Sequence, residues 1–184
     1  MYSGSNPNHK ERYREIVGLG KNEKPNFSDN LEFMFKYQIG HMYLRYLLWN
    51  FSGRESDIQD ANWLSINDKF KNVPEEILNN KARNNYYMIP LILALIGLFY
   101  HYFRDKKNFS VVMALFILTG VALVVYLNSP PSEPRERDYI YAGSYYAFSI
   151  WIGIGVLSIF SFLYSILKNN KISLFISILS LIHI

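Results

Sequence analysis

The stretch YYMIPLILALIGLFYHYF, Tyr86 to Phe103, runs for 18 residues without a Lys, Arg, Asp or Glu. FSVVMALFILTGVALVVYL, Phe109 to Leu127, does so for 19, and Tyr145 to Leu167 for 23. At 1.5 Å per residue the first two cover roughly 27–28 Å as helices, close to the ~30 Å hydrocarbon core of a bilayer. A single run of this kind fits the buried helix of a soluble protein. Three of them, separated by short polar links, predict membrane spans. Ile172 to Ile184 begins a fourth and stops after 13 residues. An ending inside an apolar run reads as a truncated fragment.

Working outward, the charges divide the chain. Residues 1–85 hold 12 Lys/Arg and 11 Asp/Glu, whereas residues 86–184 hold 7 and 4. The expected fold is therefore all-α: a polytopic helical membrane protein with spans at about 86–103, 109–127, 145–167 and a truncated 172–184. Residues 1–85 form a separate segment ahead of it. The formal net charge is only +4, and its bases are mixed with acids, which argues against nucleic acid as partner. Cysteine is absent, so thiolate chemistry and Cys-based metal sites are excluded. The N-terminal residues have no apolar core and do not form a signal peptide.

The links orient the spans. Arg104, Lys106 and Lys107 join the first pair, and Lys168 and Lys171 the last. The longer link from Asn128 to Ser144 has Arg135 and Arg137 as its bases, beside Glu133, Glu136 and Asp138. Basic residues in short loops mark the cytoplasmic side. Residues 1–85 and 128–144 are then extracytoplasmic, in a membrane such as the bacterial inner membrane.

Within residues 1–85 the first thirty read as loop. Ser28 or Asp29 is positioned to cap an amphipathic aromatic helix from about Leu31 to Asn50. Lys36, His41 and Arg45 interrupt it, each costing a few kcal/mol at mid-bilayer, so the helix is expected at the interface or packed on other helices. Gly53 ends it. The acidic loop that follows contains Asp57 and Asp60, which suit either metal or acid–base chemistry, or simply a solvated surface.

The link NSPPSEPRERDY, Asn128 to Tyr139, is stiffened by Pro130, Pro131 and Pro134. On an extended backbone Arg135 and Arg137 share one side, Glu136 takes the other, and Asp138 returns to the arginines. Two guanidinium forks suit a phosphate or pyrophosphate. The alternative is a salt-bridge cluster that braces the loop. Glu133, Asp138 and Tyr139 are the supporting residues in either case.

The stretch YLNSPPSEPRERDYIYAGSYYAFSIWIG, Tyr126 to Gly153, resembles a bacterial membrane family grouped with protein O-mannosyltransferases of the GT-C glycosyltransferase type. Matching motifs also occur at Tyr37-Gln38-Ile39, Met42 to Tyr46, Trp49 to Arg54, Asp57-Ile58-Gln59 and Asn85 to Pro90. The resemblance implies a polyprenyl-phosphate sugar donor and a protein hydroxyl acceptor outside the cytoplasm, with Arg135 and Arg137 at the donor phosphate. It implies no metal and no cofactor. The general base of such enzymes is placed in an earlier outward loop, so the catalytic residues are unknown here. This chain reads as a later part of the membrane domain, inactive alone. A non-catalytic membrane scaffold or partner-binding module of the same fold is the alternative.

Overall fold

Pro7–Val17 forms helix α1. Asn6 caps it by accepting from the Asn8 amide at 3.0 Å, and Gly18 closes it in the left-handed conformation. This corrects the expectation of loop over the first thirty residues: an Asn-Pro start and a Gly stop bracket Tyr13, Ile16 and Val17, which pack on the next helix. The computed structural model describes residues 6–70, 73–131 and 135–168, with Leu174 and Ile178. Glu133 and the fourth expected span, apart from those two residues, lie outside the described residues.

The aromatic helix is longer than expected. It runs continuously through α2 (Phe27–Phe33), a π-helical stretch (Met34–Leu44) and α3 (Arg45–Phe51). Its cap is Asn26 rather than Ser28 or Asp29. The Asn26 side chain accepts from the Asp29 amide at 3.0 Å, and the Asp29 carboxylate accepts from the Asn26 amide at 2.7 Å. Eleven residues of π register are unusual, since such turns normally occur singly and near functional sites. The helix packs against other helices, one of the two placements that its interrupting charges allow.

Ser52 caps the end, and Gly53–Arg54 forms a two-residue strand β1. It pairs antiparallel with β2, Asn84–Asn85, in the register Gly53↔Asn85. A Cβ at Gly53 would sit 2.7 Å from the Asn84 carbonyl oxygen, so the pairing depends on glycine. The fold is thus mostly helical, consistent with the expected all-α class, with one small β pair among the described residues. Between the strands, Ile66–Phe70 is a 3₁₀ turn and Glu75–Leu78, after Pro74, the short α4.

Helix α5 covers Ile89–Arg104, 16 residues or about 24 Å. It is shorter than the apolar run because Tyr87 and Met88 take left-handed conformations (φ 53° and 60°) just before Pro90. Asp105 then caps α6, Lys106–Thr119, accepting from the Asn108 amide at 3.1 Å. The backbone breaks at Gly120, and α7 continues over Val121–Leu127. After the proline-containing link, a 3₁₀ turn at Asp138–Tyr141 leads into α8, Ala142–Leu167. Among the described residues two stretches are long and apolar enough to cross a membrane, Lys106–Leu127 and Asp138–Leu167, and only 11% of each apolar window is buried.

Helices α5 and α8 touch backbone to backbone. A Cβ at Gly97 would lie 1.8 Å from the Trp151 carbonyl oxygen, and one at Gly155 would lie 2.1 Å from that of Leu93. Small residues at such a crossing let two helices approach closely. Above it, one aromatic cluster joins Tyr43, Tyr46 and Trp49 to Val124 and Tyr141. A second joins Leu47 and Phe51 to Ala94, Phe148 and Trp151. The π-containing helix therefore lies across one end of the apolar helices and is tied to them by aromatic packing.

Candidate functional site

Arg45, which interrupts the aromatic helix in sequence, is buried at 5% exposure. A buried guanidinium needs a counter-charge and acceptors for its donors. Its Nη2 donates to Glu136 Oε2 at 2.9 Å, its Nη1 to the Ala61 carbonyl at 2.9 Å and its Nε to the His41 carbonyl at 2.9 Å. The guanidinium lies 4.8 Å from the Tyr46 ring centroid and 4.5 Å from that of Trp49.

Glu136 gathers the rest of the site. Its Oε2 also accepts from the Tyr46 hydroxyl, and its Oε1 from the Asp60 amide at 2.7 Å. Burial alone would raise its pKa. Hydrogen bonds from Tyr46, Arg45 and the Asp60 amide, with the Arg45 charge, outweigh burial and hold the carboxyl below its ordinary value. Burial, then the neighbouring Glu136, pushes the Tyr46 hydroxyl well above its ordinary range, so it remains a donor. The Arg137 amide donates back to the Tyr46 hydroxyl at 3.4 Å.

Two further contacts complete the docking. Gln38 Nε2 donates to Asn128 Oδ1 at 3.0 Å and to the Ser129 carbonyl at 2.9 Å. His41 Nε2 lies 2.9 Å from Asp60 Oδ1, and Asp60 holds a left-handed backbone (φ 63°). The π stretch and α3 thus clamp both the link after α7 and the loop before residue 61. Residues about ninety positions apart in sequence meet at one carboxylate.

Against the sequence expectations, Arg135 is exposed and Arg137 half-buried, with Glu136 between them turned inward. The expected return of Asp138 to the arginine side rested on continued extension. The 3₁₀ turn begins at Asp138 and ends that alternation. Asp138 is half-buried and Tyr139 exposed. Asp60 belongs to the site through its amide and its bond to His41. Asp57 does not: its carboxylate accepts from Asn80 Nδ2 at 2.7 Å, which holds its pKa below the ordinary value. Among the described residues no group of three or more His, Asp or Glu side chains is placed to hold a metal ion.

Sequence reading missed Arg45, Tyr46 and His41 as site residues and gave Glu136 no partner. The available signal was Arg45 itself. A guanidinium inside a run of tyrosines and leucines has to find an acid, and the proline-rich link carried three.

Residues 1–35 match a family model described as a family of unknown function (DUF8416). That stretch covers α1, α2 and the first two residues of the π stretch, and excludes every residue of the clamp. No curated protein and no solved structure matches the chain.

Proposed function

We propose that this chain is part of a membrane glycosyltransferase similar to protein O-mannosyltransferases. In this reading Arg135 and Arg137 hold the phosphate of a polyprenyl-phosphate sugar outside the cytoplasm, and a protein hydroxyl accepts the sugar. One observation carries it. Glu136, which stands between the two arginines, is paired with Arg45 and turned inward, which pins the loop at that point. A loop pinned at its centre holds its flanking cations in place before a ligand arrives, which lowers the entropic cost of binding.

The membrane setting is part of the proposal. Lys106–Leu127 and Asp138–Leu167 are apolar and mostly unburied, whereas the core helix of a soluble protein is mostly buried. Helix α5 serves as a further span. The clamp then sits at the extracytoplasmic end, where a lipid phosphate lies, and the Arg104–Lys107 turn faces the cytoplasm. The leaving phosphate gains negative charge as the sugar departs, and a guanidinium fork stabilises that charge.

A second reading has its own support. Glu136 is engaged with Arg45, Asp60 with His41 and Asp57 with Asn80. With those carboxylates in use, the chain also fits a non-catalytic module that positions a partner. Donor titration of Arg135→Lys and Arg137→Lys variants, in the natural protein that carries this chain, separates the two. Loss of the planar fork should weaken donor use by about 5- to 150-fold with thermal stability unchanged. Unchanged donor affinity and turnover at wild-type stability would remove the phosphate role.

A further inference from the structure

The loop between β1 and β2 holds a cleft of about 300 Å³ that the clamp does not use. Its walls carry Glu55, Asn62, Trp63, Leu64, Asp68 and Arg83. The volume is at the bottom of the range for small-molecule sites, room for one ring rather than a chain. Trp63 is 36% exposed and supplies an aromatic surface. Leu64 is buried beneath.

The polar groups differ in kind. Glu55 Oε2 accepts from the Asn62 amide at 3.2 Å, leaving its other oxygen as an acceptor. The Asn62 side chain is exposed and brings both a donor and an acceptor. Arg83 donates through Nη1 to the Glu55 carbonyl at 3.4 Å, and the guanidinium has further donors. Asp68 accepts from the Ser65 amide and hydroxyl at 2.7 and 2.8 Å, which fixes one wall. The frame is rigid as well: Glu55 and Asn62 also pair through Glu55 N–H and the Asn62 carbonyl at 3.1 Å.

Ligand classes can be sorted by this chemistry. Among the described lining residues two carboxylates stand beside one guanidinium, which disfavours an anion. A wholly apolar ligand would strip water from the remaining donors and acceptors of Glu55, Asn62 and Arg83 and offer nothing in return. A neutral polyhydroxylated ring fits both halves. Its C–H face lies on the indole, and its hydroxyls, each a donor and an acceptor, meet a carboxylate, a carboxamide and a guanidinium. We propose that this cleft, with Trp63 as platform and Glu55, Asn62 and Arg83 as hydroxyl partners, binds a single neutral pyranose ring.

The proposal stands apart from the donor-phosphate reading. The test uses the whole chain in detergent with 5-fluorotryptophan at Trp49, Trp63 and Trp151, followed by fluorine NMR. The probes are methyl α-mannopyranoside, methyl β-glucopyranoside and N-acetylglucosamine, with glycerol and inorganic phosphate as controls. At least one pyranose should move the Trp63 signal saturably, leave Trp49 and Trp151 in place and outdo both controls. Asn62→Ala, a change at an exposed side chain, should weaken that binding by roughly fivefold or more, and Arg135→Lys should not affect it. No saturable Trp63 shift with any pyranose, a shift matched by glycerol or phosphate, or full affinity in Asn62→Ala would overturn the assignment.

Discussion

Arg45 and Glu136 decide where the proline-rich link lies. Arg45 is 5% exposed and the Glu136 side chain 16%, so removing one partner leaves a largely desolvated charge. Breaking a buried pair costs roughly 3–5 kcal/mol, and the partial exposure of Glu136 brings the expectation for Glu136→Gln to about 2–3 kcal/mol near neutral pH. Denaturant or thermal unfolding would measure it. The same carboxylate predicts a pH dependence. Its folded pKa lies below the ordinary 4.5, so between the two values the unfolded chain binds more protons than the native one. Its contribution is complete above the ordinary value and lost as pH falls through the folded value. The stability gap between wild type and Glu136→Gln should therefore be widest near neutrality and narrow as pH falls below the ordinary 4.5. A gap that stays constant down to about pH 3 would show that the carboxylate is not held ionised by its partners.

At the scale of elements, the tightest constraint is the crossing of α5 and α8. A methyl group at Gly97 would lie 1.8 Å from the Trp151 carbonyl oxygen, a contact that only backbone movement can relieve. Gly97→Ala should destabilise by about 1–3 kcal/mol, seen as a lower melting midpoint in detergent, whereas Gly153→Ala, where nothing lies within 4 Å, should be neutral or mildly stabilising. These helices were legible in the sequence because unbroken hydropathy reports directly on length. Their exact starts were not. The delay of α5 to Ile89 depends on left-handed residues at Tyr87 and Met88, and nothing in either residue type announces that conformation. The capping box was half legible: Asp29 was recognised as a capping candidate, but the cap itself is Asn26. Helix α1 was missed because its polar composition outweighed its Asn-Pro and Gly boundary signals. The clamp was least legible. Local patterning carries no information on contacts between Gln38 and Asn128 or Arg45 and Glu136, which are set by how the helices pack.

Across the whole molecule, the clamp links two parts of the chain that hydropathy separates. The contacts of Gln38 with Asn128 and Ser129, and of Arg45 with Glu136, bring residues before α5 to the same end of the apolar helices as the link after α7. Helix α5 leaves that end and α6–α7 returns to it, so the turn at Asp105 lies at the other. If these helices cross a bilayer, Asn79 and Ser129 must share a side, and Lys107 must face the opposite one. In the orientation proposed from the excess of Lys and Arg in the short turn, that turn faces the cytoplasm. With no native cysteine, single cysteines at the three positions can be read without background. In intact cells an impermeant thiol reagent should label Asn79→Cys and Ser129→Cys but reach Lys107→Cys only after the membrane is opened. Labelling of Lys107→Cys alone would invert the orientation and keep the shared end. Asn79→Cys and Ser129→Cys on opposite sides would contradict the clamp itself, because a buried Arg45 cannot hold Glu136 across the thickness of a bilayer.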